Sequence, residues 1–126
     1  MSDNPTTLEE ILKELESSIP EIEAAAIVSA EGLPIASALP RDVDETRVAA
    51  MTAAMLSLGE RAAFELGKGE LEQVFVRGQK GYIISMAAGP EKNAVLTVSA
   101  TENVKLGLIF LDMKRTVEKI EQVLKK

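Results

Sequence analysis

Few side chains of the kinds that perform nucleophilic or acid–base chemistry are present, because the 126 residues include no cysteine and no histidine. Zinc fingers, Cys–His dyads, Ser-His-Asp triads and histidine acid–base catalysis are therefore excluded. Carboxylates are plentiful, and six are distributed over the first helical segment and the residues just after it: Glu9, Glu10, Glu14, Glu16, Glu21 and Glu23. They have no metal-ligand spacing and no partner base, so a solvated surface is favoured over a carboxylate pair or a divalent-cation site. We predict no catalytic residue, no metal and no cofactor.

Two glycine-containing segments have spacings found in phosphate-binding or RNA-binding loops. Residues 62–69 read A-x-x-x-x-G-K-G, but they lack the first glycine and the final Ser/Thr of a phosphate loop and close a helix rather than open one. Residues 78–81 match the G-x-x-G of KH-type RNA loops, yet they join two predicted strands rather than two helices. We interpret the first segment as a helix C-cap and the second as a hairpin turn, and we predict no nucleotide site.

One arginine lies where a partner protein could contact it. Arg61 flanks an apolar stripe of the long helical segment 44–67. Glu65 follows four residues later, at the spacing of an intrahelical ion pair, and this interpretation is favoured. The alternative is a contact between Arg61 and acidic or phosphate groups of a partner.

The last helical segment, about 104–124, carries Lys114, Arg115 and Lys119, and Lys125 and Lys126 follow it. Such a cluster can bind anionic lipid, but cations near a helix C-terminus also complement the helix dipole. Glu118 and Glu121 weaken the positive field. The helix-dipole role is therefore favoured over binding to a membrane surface.

Length and charge restrict the class of protein. A chain of 126 residues has the size of one domain. Its 20 acidic and 14 basic side chains give a net charge of −6, so it has no basic surface field to attract a phosphate backbone. Nucleic acid is therefore not an expected partner. The polar residues 1–7 lack a signal-peptide pattern, and the apolar run 106–111 is too short to cross a bilayer. The absence of cysteine fits a reducing compartment. We predict a cytoplasmic protein without membrane insertion, folded as a single domain over residues 1–126.

Hydrophobic periodicity and turn residues predict the element order α-β-β-α-β-β-β-α. Thr7 and Glu10 have capping-box spacing, and Asp42 with Glu45 has the same spacing before the long helix. Short links, among them Glu31-Gly32, join the strands as hairpins. The predicted fold is therefore α+β, a five-stranded antiparallel sheet packed with helices.

The predicted long helix is apolar on two sides, although a monomer needs only one. The first stripe, expected to lie on the sheet of its own chain, consists of Val48, Met51, Met55, Leu58, Ala62 and Leu66. The second stripe, roughly opposite, consists of Ala50, Ala53, Ser57 and Phe64, with Ala54 at its margin. Small residues allow another helix to approach closely, so we predict a homodimer in which the second stripe contacts a second copy. The following strand, 71–77, is predicted to be an edge that joins this interface through Leu71, Gln73 and Phe75.

Three segments carry a resemblance to a known family. Residues 27–37 read IVSAEGLPIAS, residues 73–78 read QVFVRG before a hairpin to Ile84, and residues 107–111 read GLIFL. With the Ala/Met-rich helix between the first two, the chain resembles the roadblock family, named for dynein light chains, over about residues 6–124. The turn of the form D/E-G-L-P-I/V-A is the most specific element. The arrangement is similar to the stand-alone archaeal and bacterial members rather than to the shorter eukaryotic light chains.

The resemblance implies a five-stranded antiparallel sheet between helices and a homodimer in which the long helix and the next edge strand meet their symmetry mates. Family members are scaffolds for Ras-like small GTPases, and MglB-like members activate GTP hydrolysis in their partner without donating a catalytic arginine. The family has no invariant catalytic residue to map onto this chain. The resemblance therefore implies a non-catalytic regulator that binds a Ras-like small GTPase and alters its hydrolysis or location.

A small-ligand sensor is the alternative, because related helix-flanked sheets hold ligands. The chain has few aromatic side chains with which to line a ligand pocket, since it contains one tyrosine, three phenylalanines and no tryptophan. An enzyme with its own active site is a further, less favoured alternative.

Overall fold

The computed structural model describes residues 7–89 and 91–125. Predictions that concern residues 1–6, Pro90 and Lys126 lie outside the described residues. The elements are α1 (Leu8–Ser18), β1 (Ile22–Ser29), β2 (Pro34–Ala38), α2 (Glu45–Glu65), β3 (Gln73–Gly78), β4 (Gly81–Ala88), β5 (Ala94–Thr101) and α3 (Leu106–Leu124). The strands form one antiparallel sheet in the order β2-β1-β5-β4-β3. The predicted fold class and element order are confirmed.

Side chains that alternate along the central strands divide the core into two layers. On β5, Leu96 and Val98 face α1 and α3, whereas Val95 faces α2. Ile27 and Val28 of β1 point to opposite faces in the same way. The sheet is therefore covered by α1 and α3 on one face and by α2 alone on the other.

Both early helices begin at side-chain caps. Thr7 and Glu10 form the predicted capping box, with the Thr7 Oγ1 accepting from the Glu10 N–H at 3.1 Å. For α2 the prediction was wrong by two residues, because Asp44 and not Asp42 is the N-cap. The Asp44 carboxylate accepts from the N–H groups of the second and third helical residues, a geometry that only the residue directly before the helix can reach.

The face of α2 that lies on the sheet is not the predicted first stripe. The buried residues of α2 are Ala49, Thr52 and Leu56, which lie between the two predicted stripes. Leu58 is 71% exposed, and Met51 and Leu66 are also exposed, so the expectation that the first stripe forms core is wrong for them. The reason is that small side chains allow the helix to approach the sheet closely along a narrow strip. Both apolar stripes thus become flanks of the helix.

Candidate interaction surface

Helix α2 crosses its face of the sheet obliquely, from β2 at one edge to β3 at the other. Near its start, the Ser37 hydroxyl of β2 donates to the Glu45 carboxylate at 2.6 Å. Near its end, Gly59 lies so close to β3 that a Cβ there would be 3.1 Å from Cγ2 of Val74 and 3.2 Å from Cδ2 of Leu71. An oblique helix leaves open one region of the sheet on each side of its axis.

The region beside the first stripe is an apolar groove that leads toward β3. Met51 and Met55 line it on the helix, and Ile83, Thr97 and Ser99 line it on the sheet, around a cavity of about 210 Å³. The Thr97 Oγ1 and the Ser85 Oγ share a hydrogen bond at 2.9 Å. This bond pairs the two buried hydroxyl groups under the groove. Farther toward the edge, Val76 and Ile83 are exposed at 37% and 39%. Exposed apolar side chains therefore run from α2 to the edge of the sheet.

Strand β3 is the edge strand that the sequence predicted, since it pairs only with β4 within the described sheet. Gly78 pairs with Gly81 around a two-residue turn. In such a hairpin the closing pair exchanges hydrogen bonds and the pattern then alternates, so Gln73 and Phe75 direct their backbone N–H and C=O groups to the open side. Both predicted interface residues thus carry backbone groups available to another strand.

Phe75 also anchors the edge on the opposite face of the sheet. Its ring centroid lies 5.3 Å from that of Tyr82 and 6.0 Å from that of Phe110 on α3. The guanidinium of Arg77 lies 5.9 Å from the centre of the Tyr82 ring. Three of the four aromatic side chains of the sequence thus support β3. These ring contacts pack the edge strand against α3.

Two residues of the second stripe contact a turn of their own chain. A Cβ added to Gly32 would lie 3.4 Å from the Ala53 Cβ and 3.6 Å from the Ala50 Cα. Gly32 has φ +94°, a conformation that disfavours any residue with a side chain. The small size of Ala50 and Ala53 is therefore explained in part by the β1–β2 turn, a contact that the periodicity of the helix did not reveal.

The rest of the second stripe borders a second groove, here named the apical groove. It is lined by Ala30, Ala53, Leu56, Ser57, Glu60, Phe64, Gly69, Glu70, Leu71, Ala87 and Lys92, around about 540 Å³. Phe64 at its rim is 81% exposed, and Leu71 forms part of its wall rather than of the open edge. Ala54 is exposed on the outer surface of α2. The contact of these residues with a second copy stays a prediction.

Arg61 forms the predicted intrahelical ion pair. Its Nε donates to Oε1 of Glu65 at 3.2 Å, and both side chains are more than half exposed. An exposed pair of this kind contributes little to stability. Arg61 is therefore accessible on the outer surface of α2, and its role toward a partner stays a prediction.

The described carboxylates do not assemble a metal site, since they include no group of three or more potential ligands. Glu14 forms an ion pair with Lys119, which connects α1 to α3. Burial raises the pKa of the Glu16 carboxyl above its usual value. Among the helices of the described chain, none has the length and apolarity needed to span a membrane.

The family profile of the Roadblock/LC7 domain matches residues 7–100. The chain belongs to this family. An uncharacterized protein from Methanocaldococcus jannaschii is 41% identical over 100 residues, which are 79% of this chain and 85% of that protein.

Solved structures share the fold beyond the matched residues, into α3. A Roadblock/LC7 domain from Streptomyces avermitilis superposes with a TM-score of 0.87 at 21% identity, over 94% of this chain and 98% of that one. MglB from Myxococcus xanthus gives a TM-score of 0.86 at 22% identity, over 98% of each chain. At these identities the likeness concerns the fold alone. The roadblock resemblance and its five-stranded sheet are confirmed.

Proposed function

We propose that this Roadblock protein is a homodimeric, non-catalytic scaffold that binds a Ras-like small GTPase and alters its GTP hydrolysis or its location. The observation that carries the proposal is the exposed apolar surface that runs from the first stripe of α2 to the open edge of β3. A surface of this kind marks a protein–protein interface. Roadblock membership supports the choice of partner, through the stand-alone members that the sequence resembles.

In the proposed dimer, the β3 strands of two copies pair antiparallel around a two-fold axis perpendicular to the sheet. Two five-stranded sheets then form one sheet of ten strands. Because α2 runs obliquely toward β3, the same rotation brings the first stripe of one copy against the first stripe of the other. Exposed Met51, Leu58, Val76 and Ile83 become covered. We therefore propose the first stripe for the helix contact, in place of the second stripe that the sequence predicted, and keep Gln73 and Phe75 for the strand contact.

The outer surface of α2 stays free in this arrangement and offers a platform for the GTPase. Ala54 and Arg61 lie on it. A docked platform acts by biasing the switch segments of the GTPase, which are order–disorder elements, so it needs no catalytic side chain of its own. This agrees with a sequence that contains neither cysteine nor histidine.

The proposal is tested with the purified protein and the Ras-like GTPases encoded in the same genome. We expect no GTP binding by the protein alone in calorimetry. Addition of the cognate GTPase should give a complex and a changed rate of hydrolysis or exchange. Tight GTP binding by this chain, or no interaction with any of these GTPases, would overturn the proposal.

The small-ligand sensor is the second candidate, and the groove beside Met51 and Met55 is the observation in its favour. The groove is almost wholly apolar, but its volume of about 210 Å³ lies below the usual range of ligand pockets. The proposed dimer also covers it. Binding of a small apolar dye that competes with dimer formation would favour the sensor over the scaffold.

A further inference from the structure

The apical groove lies on the side of α2 opposite the first stripe. Ser57 and Phe64 form its helical wall, while Met51 and Met55 line the groove on the other side. In the dimer proposed above, which pairs β3 and the first stripe, we expect the apical groove to stay accessible because it lies on the other flank of α2. Its volume of about 540 Å³ accommodates a few side chains of a partner protein.

The chemistry of this groove combines an apolar floor with an acidic rim. Leu56, Leu71 and Ala87 supply apolar lining. Glu60 and Glu70 stand at the rim, and the Lys92 Nζ lies 3.2 Å from Oε2 of Glu70 and so neutralises that carboxylate. The Glu60 carboxylate makes no ion pair within the described residues, so it can pair with a cation of a bound partner.

The loops around the groove add further negative charge. Glu31 on the β1–β2 turn follows the groove residue Ala30, Glu91 on the β4–β5 turn precedes the groove residue Lys92, and both carboxylates are exposed. Lys68 on the α2–β3 loop is a nearby opposing cation. An anionic ligand such as a phosphate group would be repelled here, whereas a cation beside an apolar side chain would be attracted.

We propose that the apical groove binds a short segment of the partner GTPase that presents an apolar side chain next to a lysine or arginine. Phe64, almost fully exposed at the rim, is the aromatic anchor, and Glu60 receives the cation. This assignment rests on the proposed function and adds a specific contact to it. A second copy of the chain is the less suitable occupant, because the two-fold arrangement through β3 directs the opposite flank of α2 toward the partner copy.

The test compares three variants for binding to the GTP-loaded GTPase by calorimetry at low and high salt. Phe64→Ala should weaken binding at least 10-fold, and Glu60→Lys should weaken it and flatten its salt dependence. Glu118→Lys, at an exposed position of α3 on the other face of the sheet, is the matched control and should stay within twofold. All three variants should keep the mass of a dimer in light scattering.

A photo-crosslinking residue in place of Phe64 gives a second measurement. We expect crosslinks to a basic, apolar segment of the GTPase, identified by mass spectrometry. Unchanged affinity of both groove variants, dimer dissociation by Phe64→Ala, or crosslinks only to a second copy would overturn the groove assignment. If the unaltered dimer binds no GTPase, the proposed function fails and this assignment with it.

Discussion

Gly32 joins the β1–β2 turn to α2 in a backbone conformation that disfavours residues with a side chain. Its φ of +94° is unfavourable for other residues, and an added Cβ would meet Ala53 at 3.4 Å. We expect Gly32→Ala to lower the free energy of unfolding by about 1–2 kcal/mol. Urea denaturation at a fixed protein concentration measures this change.

Gly107 provides the control for this substitution. It lies in the first turn of α3, where an added Cβ would meet nothing within 4 Å. Gly107→Ala should be neutral or stabilise the protein by up to about 1 kcal/mol, because alanine restricts the unfolded chain. Equal losses in the two variants would contradict the cost assigned to the positive φ of Gly32.

Glu16 gives a pH-dependent term to stability. Burial raises its pKa in the folded state, so the folded chain holds this proton more tightly than the unfolded chain. The contribution of Glu16 to the free energy of unfolding is fully present below its pKa of about 4.3 in the unfolded chain. This contribution is lost as the pH rises through its higher pKa in the folded chain. Glu16→Gln should therefore raise the melting temperature at neutral pH and have a smaller effect at about pH 3, below both pKa values. A difference of the same size at both pH values would contradict this expectation.

Helix α2 illustrates which structural features the sequence predicted and which it did not. Its length, its two apolar flanks and the order of the neighbouring strands followed from periodicity and turn residues. Its sheet-facing strip did not, because Ala49, Thr52 and Gly59 are small or polar and give no strong hydrophobic signal. The prediction of Asp42 as N-cap failed for a similar reason, since Asp44, two residues later, has the same capping chemistry. The apical groove depends on loops far apart in sequence, which no local pattern brings together.

Neighbouring residues on α2 distinguish the two flanks. Leu58 belongs to the first stripe and Ser57 to the second, and both are exposed in the single chain. Leu58→Arg should raise the dimer dissociation constant on the order of 100-fold, because it would bury an unpaired charge at a cost of about 3 kcal/mol. Ser57→Arg introduces the same side chain on the other flank and should leave the dimer intact. Analytical ultracentrifugation of both variants makes the comparison, and dissociation of only Ser57→Arg would assign the interface to the second stripe.

At the scale of the whole molecule, the proposed dimer links folding to association. Such an interface should bury on the order of 800 Å² per protomer, the size of an ordinary specific contact. Light scattering should then report a dimer at micromolar concentration, and the melting temperature should rise with protein concentration. A monomer that persists at micromolar concentration, with a melting temperature independent of concentration, would contradict the dimer.

The opposite edge of the sheet limits how far such pairing can extend. Strand β2 has five residues and begins with Pro34, which has no backbone N–H to offer another strand. In a dimer joined through β3, both outer edges are β2 strands. A protein whose two edges were equally receptive would polymerise into an open-ended fibre. Because β2 is short and begins with proline, we expect it to be a poor edge for strand addition, so that pairing through β3 alone gives a closed assembly of finite size.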